Sequence, residues 1–120
     1  MWKYMAGIIV VAPLAISSPT LAQPSQSEIE NLADAVGSTT ADFEACGEAS
    51  MARRIRSKYR SIATSCTSDS HDKNSALNAY DLSYANRLNE VSAVGGACRG
   101  NNSSRFRTIM DALGRALDEC

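Results

Sequence analysis

One histidine, four cysteines and a crowded run of bases are the residues of this 120-residue chain whose chemistry could be put to use. His71 lies in Ser68-Asp69-Ser70-His71-Asp72, where an imidazole between two carboxylates could touch a metal ion. A closed zinc site wants four ligands held rigidly, and one histidine with flexible acids supplies them poorly. A solvated loop is the ordinary reading of such a stretch. A single histidine also limits nucleophilic catalysis to one Ser-His or Cys-His arrangement. The acids form no pattern that marks a buried pair with split proton affinities. Phosphate loops, dinucleotide fingerprints and metalloprotease motifs are absent from the sequence. These observations assign no catalytic residue, no metal ligand and no cofactor.

The cysteines, Cys46, Cys66, Cys98 and Cys120, are separated by 20, 32 and 22 positions. Zinc ligands usually come in close pairs such as C-x2-C, so this spacing favours disulfides. The compartment argument agrees. Met1 to Met5 carries one charge, Lys3, and Ala6 to Ile16 is an apolar run interrupted by Gly7 and Pro13. The small, uncharged stretch Ser17 to Ala22 follows, with Thr20 and Ala22 flanking a cut. That is the layout of a cleavable secretory signal. A membrane-spanning helix would need roughly 20 apolar residues, more than this run contains. Residues 1–22 are therefore expected to be a signal peptide. Residues 23–120 are then a single exported domain, periplasmic or secreted, with its even number of cysteines paired.

Of the 12 Lys and Arg only Lys3 lies in the leader, and all 13 acids lie beyond it, so the mature chain carries a net charge of −2. Such a chain is not a bulk nucleic-acid binder. Its bases are unevenly placed: Arg53, Arg54, Arg56, Lys58 and Arg60 crowd one segment. Arg53, Arg56 and Arg60 fall on roughly one helical face, which could dock an anionic partner such as a lipid headgroup, a glycan or an acidic protein. The competing reading is internal pairing with the acids of the preceding helix, Glu28, Glu30, Asp34, Asp42, Glu44 and Glu48. The near-cancelling overall charge favours the internal reading.

These residues must be positioned by helices, because strand signals are poor and alanine is frequent. Ser27 can cap a first helix with Ile29, Leu32, Val36 and Phe43 on its apolar stripe. Gly37 should weaken its middle, and it should end near Cys46-Gly47. Ser50 can cap a second, with Met51, Ile55, Tyr59, Ile62 and Cys66 aligned. Thr67 to Asn74 reads as a polar loop. A third helix from about Ser75 aligns Leu77, Tyr80, Tyr84, Leu88 and Val91, and Gly95-Gly96 should stop it. After a turn at Gly100-Asn101-Asn102, Ser103 or Ser104 caps a fourth, aligning Phe106, Ile109, Met110, Leu113, Leu117 and Cys120. Tyr59, Tyr80 and Tyr84 lie on apolar stripes, where tyrosine is more often core than ligand pocket. Asn101 and Asn102 each begin an N-x-[ST] sequon, relevant only in a glycosylating source.

Four amphipathic helices with short connections predict an all-α, up-down-up-down bundle. Each cysteine then sits at the end of one helix, which selects a pairing. Cys46 and Cys66 flank a helix about 22 Å long at 1.5 Å per residue, whereas a disulfide needs its Cα atoms within about 7 Å. The ends of helices one and three share one pole, and those of two and four the other. The expected bonds are therefore Cys46–Cys98 and Cys66–Cys120. The functional expectation is a small exported, non-catalytic binding or interaction protein with a protein or anionic envelope partner. A lipid or small-ligand carrier with a cavity near Tyr80 and Tyr84 is the alternative, and a small envelope enzyme a remote one.

Overall fold

Two residues before the expected cap, Ser25 opens the first helix. Its hydroxyl accepts from the Glu28 N–H at 3.1 Å, and the Glu28 carboxylate accepts from the Ser25 N–H at 2.7 Å. This capping box satisfies two donors that a helix start leaves unpaired. Ser27 also has a glutamate three residues on. The earlier register is the one in which the Gln26 side chain donates to Glu30 at 2.7 Å and to the Asp72 carbonyl of a later helix at 3.0 Å.

The computed structural model describes residues 23–93 and 102–120. Among them are four helices and no strand: α1 Gln26–Ala45, α2 Ala49–Ser65, α3 Ser70–Ala93 and α4 Asn102–Asp118. The expected leader, residues 1–22, lies outside the described residues, as do Gly95, Gly96, Cys98 and Asn101. No helix among the described residues is long and apolar enough to cross a membrane.

Gly47 ends α1 in the left-handed conformation, with φ +82°. The Gly47 N–H donates to the Glu44 carbonyl at 3.0 Å, and the Glu48 N–H to the Phe43 carbonyl at 2.9 Å. This is a Schellman closure, which glycine makes without steric cost. It turns the chain so tightly that α2 begins at Ala49, and Ser50, the expected cap, is already helical. The start of α3 also differs from expectation. Asp69 Oδ1 accepts from the Asp72 N–H at 2.9 Å, so the helix starts at Ser70 rather than near Ser75. Polarity made this stretch look like a loop. Residues 67–69 are indeed outside any helix, but residues 70–74 are the solvated start of α3, held by an N-cap. Asn102 likewise is the first residue of α4, and its side-chain oxygen accepts from Arg105 at 3.4 Å.

Contacts fix the helix directions. Tyr59 donates to the Ile29 carbonyl while Arg56 meets Glu44, so α1 and α2 are antiparallel. Gln26 meets Asp72, and Tyr84 meets Glu44, so α1 and α3 are parallel. Arg54 covers Phe106 and Cys66 is bonded to Cys120, so α2 and α4 are parallel. α1 and α2 form the centre, α3 packs chiefly on α1, and α4 on α2. The α1/α3 contact, diagonal in a square bundle, is the most extensive among the described helices, and Gly37 explains it. A Cβ built there would lie 2.6 Å from the Tyr80 carbonyl oxygen and 3.1 Å from both Ser83 Cβ and Tyr84 N. The residue expected only to weaken α1 is what lets α3 approach.

Ile29, Val36 and Phe43 of α1, Ile55, Tyr59 and Ile62 of α2, Tyr80 of α3 and Leu113 of α4 are buried together. Each such side chain contributes about 1.5–3 kcal/mol relative to exposure. The polar groups at the α1/α3 contact are paired. Tyr80 donates to Thr40 Oγ1 at 2.7 Å, Thr40 donates to the Val36 carbonyl at 2.8 Å, and Ser83 donates to the Asp34 carbonyl at 2.5 Å.

Cys66 and Cys120 are joined, with Cα atoms 5.0 Å apart. This bond fits an oxidising compartment. The other expected bond, Cys46–Cys98, has one end outside the described residues.

Candidate functional site

The five bases of α2 do not share one surface. Arg56 turns toward α1 and α3. Its guanidinium sits 4.8 Å from the centre of the Tyr84 ring and 3.8 Å from Glu44 Oε1, which also accepts from the Tyr84 hydroxyl at 2.6 Å. Burial works to lower the Arg56 pKa, but Tyr84, Tyr80 and Glu44 together raise it. Arg56 is thus a charged strut in the packing. Arg53 and Arg60 point into solvent. Arg54 and Lys58 face the seam with α4. The expected pairing between basic α2 and acidic α1 therefore comes down to Arg56–Glu44. Among the described residues, Arg53, Arg54, Lys58 and Arg60 form no ion pair.

The seam holding Arg54 and Lys58 is a furrow. Two adjoining hollows share Arg54 and Met110 and run along the α2/α4 contact. Their volumes, about 350 and 300 Å³, would each take one or two side chains. Met51, Phe106 and Met110 supply apolar lining at one end, where Arg107 of α4 adds a third cation and Asp111 a carboxylate, and Ser57 and Ser61 line the end near Lys58. Arg54 lies over Phe106, 5.0 Å from the ring centre, a cation–π contact that holds the guanidinium at the mouth. Helical spacing places Met51, Phe106 and Met110 on the apolar stripes expected to form the core. They are half-buried, because α4 packs on one flank of α2 and covers these side chains on one side only.

A second charged cluster closes the opposite end from the Cys66–Cys120 bond. Asp42 of α1, nearly buried, accepts from Arg87 Nε of α3 at 2.7 Å, and Arg105 Nη2 of α4 lies 3.7 Å from its other oxygen. Arg105 also covers the Phe43 ring at 5.1 Å, and Phe43 meets Phe106 edge-on at 6.4 Å. Hydrogen bonds to Asp42 and Glu90 raise the Arg87 pKa. The cluster joins three helices through one carboxylate. It was not legible beforehand, because nothing local marks Asp42 apart from its neighbours Ala41 and Phe43.

His71 is 88% exposed, with Nδ1 3.5 Å from Asp72 Oδ1. Asp69, His71 and Asp72 have ligand atoms within 4.8 Å of one another. Asp69 is occupied as the cap of α3, and a helix N-terminus carries partial positive charge that opposes a cation. The cluster is a helix cap with a solvated imidazole.

The tyrosines belong to the packing. Tyr59 and Tyr80 stack with centroids 5.2 Å apart and planes 13° from parallel. Tyr59 donates to the Ile29 carbonyl at 2.9 Å. Tyr80 sits where α1 and α3 are in closest contact, which is where the carrier reading wanted a cavity. Burial pushes both phenols above their usual range, Glu30 and Tyr80 adding to the rise at Tyr59. The stability gained by keeping them neutral is fully present below the unfolded phenol pKa of about 10 and is lost as pH rises through the folded values. Denaturant melts should therefore show stability falling above about pH 10, and less steeply in Tyr59→Phe. That variant should also lose about 1 kcal/mol at neutral pH with its hydrogen bond. An alkaline slope unchanged in Tyr59→Phe would show that the phenol does not report burial.

Comparison with protein-family models, with curated proteins and with solved structures returns no match for this chain.

Proposed function

We propose that this chain is an exported, disulfide-stapled binding module that engages an anionic partner through the furrow between α2 and α4. The observation that carries this reading is a contrast within one helix. Arg56 is committed to Glu44 and Tyr84, whereas Arg54 and Lys58 face the furrow and form no ion pair among the described residues. Cations beside accessible apolar surface are what an acidic, partly apolar partner would recognise. Export is supported by the leader pattern of residues 1–22 and by the oxidised Cys66–Cys120 pair. A non-catalytic role is supported by the placement of His71, exposed and accompanied only by the acids of a helix cap.

The test is capture of partners from the native extracellular or envelope fraction by the immobilised mature protein. Arg54→Ser, Lys58→Ser and Arg107→Ser combined should weaken capture about tenfold, at roughly 0.5 kcal/mol per rim charge, and flatten its salt dependence. Arg53→Ser with Arg60→Ser should change it little. All these side chains except Lys58 are largely in solvent or at its edge, so melting should stay close to wild type. Equal capture by the triple variant would dispose of the furrow as the site.

A further inference from the structure

Resting on that reading, we infer that the occupant of the α2/α4 furrow is an acidic amphipathic helix of a partner protein. The furrow's walls are rows of residues at helical repeats. α2 contributes Met51, Arg54, Lys58 and Ser61, and α4 contributes Ser103, Arg107 and Met110. From Met51 to Ser61 the α2 row spans about 15 Å at 1.5 Å per residue, or nearly three turns. Two parallel helices with such rows offer grooves into which the side-chain ridges of a third helix fit. Gly114 continues the α4 row, and no atom lies within 4 Å of where its Cβ would be, so the furrow is not blocked a turn further on.

The chemistry of the lining narrows the occupant. Two methionines and a phenylalanine form an adaptable apolar floor, the kind of surface that accepts anchors at i, i+3 or i+4, and i+7 of a docked helix. The rim carries three cations, Arg54, Lys58 and Arg107, against one carboxylate, Asp111, and this net positive charge asks for carboxylates flanking those anchors. Arg54, laid over Phe106, presents a fixed guanidinium suited to bidentate carboxylate binding. A bilayer surface would be met by protruding apolar side chains among the bases. Here the apolar atoms form the floor, and among the described residues the exposed large apolar side chain, Leu82 at 64%, lies on α3 rather than on α2 or α4. A second copy of the chain has its most acidic helix, α1, already packed between α2 and α3.

The experiment uses the full mature protein with its disulfides intact and a synthetic acidic helical peptide of about 18 residues. The peptide carries leucines at i, i+3 and i+7 flanked by glutamates. A peptide of the same composition with the leucines scrambled is the control, and phosphatidylglycerol vesicles are the competing surface. Fluorescence anisotropy should show saturable binding of the patterned peptide, at least about tenfold weaker for the scrambled one, since the pattern carries the anchors. Lys58→Glu with Arg107→Glu should weaken the patterned peptide by a similar factor while the circular dichroism melt stays unchanged. Equal binding of the two peptides would overturn the inference. Vesicle binding without peptide binding would overturn it and leave the anionic-partner reading standing. Self-association in sedimentation that the same charge reversals abolish would make the occupant a second copy, and would also overturn it. Failure of every anionic probe to bind would overturn both.

Discussion

Replacing Gly37 with alanine should destabilise the protein, although the same change at an ordinary helical position stabilises. Alanine is preferred to glycine in a helix interior by about 1 kcal/mol. At Gly37 the added methyl meets the Tyr80 carbonyl oxygen at 2.6 Å and the Tyr84 nitrogen at 3.1 Å. Both are backbone atoms and cannot swing aside, so α3 as a whole must shift. The hydrogen bonds Tyr80–Thr40 and Ser83–Asp34 and the Tyr59–Tyr80 stack all cross or adjoin this contact and would be stretched together. Overpacking costs about 1–3 kcal/mol before those losses. The net expectation is a loss of about 2 kcal/mol, or a midpoint lowered by roughly 10 °C for a domain of this size. Gly37→Leu should release α3 from α1 and remove the cooperative transition. Gly114 supplies the internal control: no atom lies near its would-be Cβ, so Gly114→Ala should raise the midpoint. A Gly37→Ala midpoint at or above wild type would mean that α1 and α3 do not approach as closely as described.

The contrast between those two glycines shows what kind of information the sequence carried. The apolar stripes, the helical class and the stop at Cys46-Gly47 are local, because a helix reports its buried face through spacing alone. The Cys66–Cys120 pairing was legible because helix lengths and connection lengths leave few alternatives. The role of Gly37 was hidden because its reason lies on another helix, more than forty residues along. Asp69 was hidden for a different reason: a polar, exposed first turn has the composition of a loop, and only the Asp69–Asp72 bond distinguishes it. For the candidate site, the sequence named Arg54 and Lys58 among five bases but could not separate them from Arg56. The separation depends on which neighbour each side of α2 faces. Arg107, Met51, Phe106 and Met110 join the site only once α4 is known to pack directly on α2, a pair that a square bundle would set diagonally.

Removing the Cys66–Cys120 bond is expected to have the largest effect of any change outside the α1/α3 contact. The two cysteines are 54 residues apart in sequence, and on the chain-entropy account a loop of that length contributes about 4 kcal/mol by restricting the unfolded chain. Cys66→Ser with Cys120→Ser removes the bond without leaving a lone thiol. Its consequences should be uneven. α4 rests mainly on α2, and its C-terminal end is held by the disulfide and by the hydrogen bond from Gln23 to the Cys120 carbonyl at 3.3 Å. The α1/α3 contact needs neither. Hydrogen exchange should therefore quicken first along α4, while amides of α1 and α3 near Gly37 and Thr40 stay protected. Peptide binding in the furrow should weaken alongside, because its two walls are the helices the bond holds parallel. A non-reducing peptide map of the wild type should show Cys66 joined to Cys120, which leaves Cys46 and Cys98 as the remaining partners in a fully oxidised chain. A double-serine variant melting within about 1 kcal/mol of wild type, or exchange rising equally in all four helices, would show that packing rather than the covalent link holds α4 in place.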